Sequence, residues 1–531
     1  MVALRIALLA VTALAAQVEL EKRISVPSVD LTSNSTRVPK AIITSKNGAN
    51  VTISGLALPG YDAYLGIPFA EPPDRSYGGG FIAGAASTYI SGPMIQYGVD
   101  TKRPFILVAM NYRLGILGWG YGKDVAQNKA GNLGIRDQIL ALEFVRDHIS
   151  AFGGDPAKVT LFGQSAGAIS TSIIMLNQTQ NLFRGAIMQS GAQSTAPITN
   201  TSTGWNAPYN NTAQNAGCMA PNTTNLGNLT TWQCLKRIPA DTLMAAAAKT
   251  KASLQYSLPY IWAPSVDGDI VPESPWKMLQ EGRFSRVPFI TGNVRDEGTG
   301  TLPTWLNSSI PLSFAFGLLQ PQVSNPSSFL KVLAAYPNVT ALGSPYGTGN
   351  ETFGLDPIFK QAASIVGDEA FQSRRRYFIR QANKFNFTRT WSYEFRGETP
   401  GAPPYTGRRG MMNYWINFAY YLDPNGNMTH NPHVNTTNTT VTYAKGNWKN
   451  PAVRQKKGQD GKKDGAQKDK GGKHALERTV WRPHAFPENK NAMLFAPGNL
   501  TMIQDDYREQ QMQVFDGPEM AKDLNYRRGI L

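Results

Sequence analysis

At 531 residues and 41% hydrophobic content the chain can bury a large core, which excludes the fibrous and wholly disordered classes. The formal charge of +15 does not argue for a nucleic-acid partner. Much of it sits in residues 449–478, where ten basic residues face four acidic ones and no aromatic residues are interleaved, so a disordered, solvated basic insert is expected there.

The N-terminus reads as a secretory signal over 1–16. Arg5 precedes the apolar run from Ile6 to Leu14, and Ala13-Leu-Ala15-Ala16 offers a small-residue cleavage site. A dibasic Lys22-Arg23 follows, either a processing site or a solvated pair, so the mature domain is expected over 24–531. The apolar run is too short to remain as a bilayer span, and no other stretch is long and apolar enough, so stable membrane insertion is not expected. About fifteen N-x-S/T sequons, among them Asn34, Asn177, Asn222, Asn307, Asn386 and Asn499, agree with export to an extracellular location. The two cysteines, Cys218 and Cys234, would close a short loop as a disulfide in that compartment, or remain as two buried thiols.

Residues 24–40 read as an extended mature N-terminus. Short strands are expected at Ala41–Ser45, Val51–Ser54 and Tyr61–Gly66, and a strongly apolar one at Pro104–Asn111. Gly131–Ser150 has a helical period, with Ile135, Ile139, Leu142 and Val145 or Ile149 on one face. Strands follow at Val159–Phe162 and Arg184–Gln189, with a helix from Ala166 between them. This alternation of strand and helix predicts an α/β fold with a mostly parallel central sheet and helices on both faces. Residues 190–260 read as loop-rich. A further strand is expected at Val287–Gly292, helices over 310–385, a strand at Thr390–Phe395 and an aromatic helix at Met411–Leu422. Order should resume at Val480 and at Asn491–Phe495.

Gly163-Gln-Ser165-Ala-Gly167 carries the candidate chemistry. It has G-x-S-x-G spacing between a predicted strand and a predicted helix, the context in which such a turn lifts a serine hydroxyl beside the positive end of a helix. A serine needs a base and an orienting acid. Glu297 follows a predicted strand end, as Ser165 does, and is the candidate acid. Acyl transfer also needs donors for the developing oxyanion. Gly78-Gly-Gly80 can offer backbone N–H groups unobstructed by side chains, and the N–H of Ala166 offers another. No metal constellation or phosphate loop stands out, so no cofactor is expected.

These blocks resemble the type-B carboxylesterase/lipase family, which includes secreted lipases, carboxylesterases and cholinesterases. The matching stretches are Tyr64-Leu-Gly-Ile-Pro-Phe-Ala-Glu-Pro-Pro73, Tyr77-Gly-Gly-Gly-Phe81, Asn111-Tyr-Arg-Leu-Gly115, Gly131-Asn-Leu-Gly-Ile-Arg-Asp-Gln138, Phe152-Gly-Gly-Asp-Pro156, the serine block and Asp296-Glu-Gly298. The resemblance implies an α/β-hydrolase fold and a serine acyl-enzyme mechanism on a small-molecule or lipid ester. It implies Ser165 as nucleophile, Glu297 as triad acid, Gly79, Gly80 and Ala166 as the oxyanion hole, and a Cys218–Cys234 disulfide.

It also implies segments that this chain lacks, one near 75/76 and one near 407/408. The second is where the family places its catalytic histidine, and Thr406-Gly-Arg-Arg-Gly410 contains none. The remaining histidines, His148, His430, His433, His474 and His484, read as solvated or packing residues. An impaired hydrolase is therefore one expectation, and a non-catalytic esterase-like binding protein is the alternative.

Overall fold

A computed structural model describes residues 37–45, 48–58, 60–65, 67, 79–86, 91–177, 182–196, 198, 202–253, 262–308, 326–396, 406–426, 440–442, 477–496 and 499–516. The expected signal peptide, the 75/76 join, residues 449–476 of the expected insert and His430, His433 and His474 lie outside these residues, while Glu477 and Arg478 at the end of that insert belong to a short strand.

The chain begins with two small antiparallel pairs, β1 (Lys40–Thr44) with β2 (Asn50–Ser54), and β3 (Leu56–Leu58) with β4 (Tyr61–Ala63). The central sheet has six strands: β5 (Thr160–Gln164), β6 (Gly185–Gln189), β7 (Phe289–Val294), β8 (Thr390–Phe395), β11 (Asn491–Ala496) and β12 (Asn499–Gln504). They lie side by side in that order. The first five run parallel, and β12 returns antiparallel on β11. A third small pair joins β9 (Thr440–Thr442) to β10 (Glu477–Thr479).

The strand sequences explain the layering. β6, β7 and β8 are buried at every position but the last, because helices cover both faces. On one face the helix Ala166–Leu176 is buried at every position but Gly167 and shares a core with Ala186, Met188, Phe289 and Ile379. On the other, the aromatic helix Thr406–Tyr421 sets Met411, Tyr414 and Phe418 against Ile187, Ile290, Trp391, Trp481 and Phe495. Trp481 is fully buried, and its indole N–H donates to Ser392 O at 3.0 Å, so its one polar atom is satisfied.

The helix expected at Gly131–Ser150 spans Leu133–His148 and tightens into a 3₁₀ turn at Ile149–Phe152. Ile135, Leu142, Val145 and Ile149 are buried as the period predicts. Asp137 on the same helix is buried too. It accepts from Arg113 N, Nε and Nη2 at 2.9, 2.8 and 2.7 Å, which ties the Asn111–Gly115 block to this helix.

Three expectations are corrected. Pro104–Asn111 forms no strand. Ile106, Leu107 and Val108 are 44%, 37% and 45% exposed, and among the described residues no strand pairs with the outer edge of β5. An apolar run becomes a strand only with a partner to take its backbone hydrogen bonds. Residues 190–260 are not mainly loop. Helices occupy Ser202–Asn215, Thr231–Arg237 and Ala240–Ser253. The signals were an alanine-rich run after Asp241 and a capping box in which Thr230 and Gln233 exchange hydrogen bonds. Finally, β12 was not anticipated. At its partner β11 only a return of order was expected, and the two form a register from Asn491↔Gln504 to Ala496↔Asn499.

Candidate active site

Three neighbouring parallel strands end at one place, and each hands a side chain to it. Ser165 follows β5, Ser190 follows β6 and Glu297 follows β7. The strand ends are stitched together: Ser165 N donates to Gln189 O and Ser190 N to Gly292 O, both at 2.8 Å. Carboxyl ends of parallel strands are the open rim of such a sheet, because the connections leave there.

Ser165 sits half-buried at φ 53°, ψ −122°, a left-handed conformation that L residues avoid. The turn is too tight for a side chain at Gly163 and at the neighbouring Gly191, whereas a Cβ on Gly167 would meet nothing within 4 Å. A Cβ on Gly163 would lie 2.2 Å from Gly167 O, and one on Gly191 would lie 2.7 Å from Ser165 O. Straight after the serine the helix Ala166–Leu176 begins, with Ile169 N donating to Ser165 O at 3.0 Å. The hydroxyl therefore projects from a sharp bend at the helix's positive end.

Gly79–Phe81 forms a 3₁₀ turn packed against that same helix. Gly80 is at φ 59°. Phe81 is fully buried, with its ring edge-on to Trp119 at 4.6 Å, and anchors the turn from below. The first helical residue, Ala166, is also fully buried and shares that core. Gly79, Gly80 and Ala166 are thus brought onto neighbouring elements.

Glu297 opens a 3₁₀ turn and is half-buried. Its Oε1 accepts from Val294 N at 2.9 Å and from Asn293 Nδ2 at 3.1 Å, and the Ser190 hydroxyl donates to its carboxylate. Burial pushes its pKa up to about 6, while those hydrogen bonds and the Arg375 charge pull the other way. Behind it lies a buried polar chain. Arg375 Nε donates to Asn293 Oδ1 at 2.7 Å, and Arg375 Nη2 to Asp505 Oδ1 at 2.8 Å. Ser392 Oγ donates to Asp505 Oδ2 at 2.8 Å, and Arg376 Nε to Asp505 Oδ1 at 2.9 Å. Burial alone would raise the Asp505 carboxyl, but Arg375 and Arg376 override it and hold it well below the usual range.

Reading the sequence had not found Ser190, Asn293, Arg375 or Asp505. The block Asn293-Val-Arg-Asp-Glu297 held a signal, since a side chain four residues before the acid can reach it around a strand end. Arg374-Arg375-Arg376 held none: a triple arginine reads as surface charge, yet all three are buried.

Neither described histidine hydrogen-bonds Ser165 or Glu297. His148 is half-buried, its ring 4.8 Å from that of Phe144. His484 is buried, and its backbone N–H donates to Thr390 O at 2.8 Å. Burial lowers the His484 pKa to about 4, with Arg375, Arg376 and Arg380 acting in the same direction and Asp505 against them. Cys218 and Cys234 are bonded to each other and fully buried, which closes the thiol alternative.

Strand order, with the elbow after β5 and a carboxylate two strands away after β7, fits an α/β-hydrolase fold, and the comparisons agree. The crystal structure of Aspergillus niger EstA superposes with a TM-score of 0.62 over 84% of this chain and 80% of that one, at 19% identity. The sequence profile of the Carboxylesterase family matches residues 76–408, and the chain belongs to that family. It is 32% identical to the secreted triacylglycerol lipase LIP1 of Gibberella zeae over 66% of its own length and 63% of that protein's. It is 31% identical to lipase 2 of Geotrichum candidum, over 68% and 69%, and 33% identical to the secreted lipase 1 of Botryotinia fuckeliana, over 66% and 64%. The chain thus spans about two thirds of the length of these relatives. Among the described residues no helix is long and apolar enough to cross a membrane.

Proposed function

We propose that this protein is a secreted carboxylic ester hydrolase that works through an acyl-enzyme on Ser165. The observation that carries the proposal is the strained serine at a helix N-terminus, with a carboxylate two strands away whose pKa is about 6. In the cycle, Ser165 Oγ attacks the ester carbonyl and its proton passes to a base. The oxyanion is held by the N–H groups of Gly79, Gly80 and Ala166, the alcohol leaves with a proton, and water then releases the acid. Glu297 orients the base and balances its charge when protonated. Small-molecule or lipid esters are the substrates. The secreted lipases among the relatives support both the substrate class and the extracellular location.

The base is a histidine in this chemistry. We infer that the two joins, near 75/76 and 407/408, are each shorter than a working hydrolase needs. The edge of β5, which no described strand pairs, and the exposed Ile106–Val108 run support this reading, since a strand between them would pair one and cover the other. Transcript sequencing across both joins tests it, and joins that prove real would remove it. Hydrolysis itself is tested with p-nitrophenyl acetate and butyrate on the folded, secreted chain. Burst release of nitrophenol, blocked by a fluorophosphonate that labels Ser165, is expected of the chain with both segments restored, and at most a residual rate of the chain as it stands. An intact fold with neither burst nor label in the restored chain would leave an esterase-like binding protein as the reading.

A further inference from the structure

Three loops gathered at the start of the Ile358–Gly367 helix each expose a large apolar side chain: Trp305 at 50%, Phe353 at 58% and Leu342 at 63%. They are pinned there. Ser308 N and Oγ both donate to Asp356 Oδ2 at 3.0 Å. The buried Lys360 ammonium donates to Thr348 Oγ1, Gly349 O and Glu351 O at 2.8, 2.7 and 3.1 Å. Ser344 N donates to Lys360 O at 3.1 Å.

Each loop carries a sequon: Asn307-Ser-Ser309, Asn338-Val-Thr340 and Asn350-Glu-Thr352. All three asparagines are exposed. Each stands within four residues of one of the apolar groups, Trp305 two before Asn307, Leu342 four after Asn338 and Phe353 three after Asn350.

We propose that Asn307, Asn338 and Asn350 carry N-linked glycans and that their first sugars cover these apolar side chains. The amide nitrogen of each asparagine attacks C1 of an oligosaccharide carried on a lipid diphosphate. An N–C1 bond forms, the C1–O bond to phosphate breaks, one amide proton is lost and the lipid diphosphate leaves. The C–H faces of the proximal sugars then lie against Trp305, Phe353 and Leu342 while their hydroxyls face water. A surface that would otherwise favour association becomes hydrated. Asn177 is the contrast. Its sequon follows the elbow helix, and its half-buried Nδ2 donates to the distant Ile270 O at 2.9 Å, whereas the exposed Asn307 Nδ2 donates within its own turn, to Trp305 O at 3.2 Å. It stays unmodified.

The inference rests on the export reading of the N-terminus. The test is expression of the full chain with its own leader in a eukaryotic host, followed by enzymatic deglycosylation in heavy-oxygen water and peptide mass spectrometry. Labelled aspartate is expected at positions 307, 338 and 350, with unchanged asparagine at 177. Asn307→Gln, Asn338→Gln and Asn350→Gln should each remove one mobility step. The triple variant should bind more of a hydrophobic dye and sediment faster, and adding Trp305→Ser with Phe353→Ser should reverse both.

Empty sites here in protein glycosylated at other sequons, such as Asn386, would overturn the inference and leave export standing. No glycan anywhere would overturn both. Unmodified sites in a dimer that shields Trp305 would make a second copy the cover instead, and unchanged dye binding in the triple variant would overturn the covering role.

Discussion

Arg375 donates its Nε to Asn293 Oδ1 at 2.7 Å, and Asn293 in turn donates to Glu297 at 3.1 Å. A fully buried guanidinium, neutralised by Asp505, therefore steadies the candidate triad acid through one amide. Asn293→Ala removes a donor to the carboxylate and its link to the positive charge, so the Glu297 pKa should climb above about 6. The expected outcome is an upward shift of the acid limb in the pH profile of fluorophosphonate labelling. A merely structural role would lower the melting temperature and leave the limb in place.

The same buried chain makes a stability prediction. Arg375→Met leaves Asp505 facing Arg376 and Ser392 with its main partner gone. Breaking a buried ion pair from one side costs about 3–5 kcal/mol. Urea unfolding of Arg375→Met should show a loss of that size. A loss below about 1 kcal/mol would mean that water reaches Asp505.

Glu297 also links stability to pH. Its folded pKa, about 6, lies above the ordinary 4.5, so the folded state holds this proton more tightly than the unfolded state. That contribution is fully present below pH 4.5 and is lost as pH rises through about 6. A shift of this size is worth at most about 2 kcal/mol. Glu297→Gln cannot titrate and should lack the decline, so the gap in stability between variant and parent should widen from pH 4.5 to 7 in the variant's favour. An unchanged gap would place the folded pKa at its ordinary value.

Ser165 should be a residue whose loss stabilises. Its φ of 53° with ψ −122° suits glycine and costs another residue about 1–3 kcal/mol. Ser165→Gly is expected to raise the urea midpoint and to abolish fluorophosphonate labelling together. Ser165→Ala should abolish labelling without the gain, because alanine keeps the Cβ that the turn strains. A drop in stability for Ser165→Gly would mean that the serine side chain is holding the turn.

How much of this was legible in the residues depends on what each signal encodes. The elbow was legible because its constraint is local: Gly163 is required by the backbone of Gly167 and Ala168, four and five residues further on, although Gly167 itself has room for a Cβ. Glu297 was legible because it follows an apolar strand. Pro104–Asn111 was misread because apolar character reports a wish to be buried, while strand formation also needs a hydrogen-bonding partner, and none of the described strands pairs with it. Arg375 and Asp505 were illegible since they stand 130 positions apart and only the fold joins them. The short helices between 202 and 253 were hidden by the many Asn, Thr and Gly residues around them, although the Thr230 cap was readable.

The open edge of β5 leads to the last prediction. Phe162 on that strand is 38% exposed, its ring 5.4 Å from that of Trp415, and Val108 on the neighbouring unpaired run is 45% exposed. Ile106 reaches the turn that feeds β5, coming within 3.0 Å of where a Cβ on Gly154 would lie. An unpaired strand edge beside exposed β-branched residues templates association with another chain, and a lysine there blunts it. Val108→Lys places a charge where the native side chain already meets water, so it should change folding stability by no more than about 0.5 kcal/mol. It should nonetheless raise the monomer fraction in light scattering at a given concentration. Phe162→Ala should do the opposite to stability, because it removes the contact with Trp415, and so separates an edge effect from a packing effect. An unchanged monomer fraction in Val108→Lys would mean that this edge is covered in the folded protein.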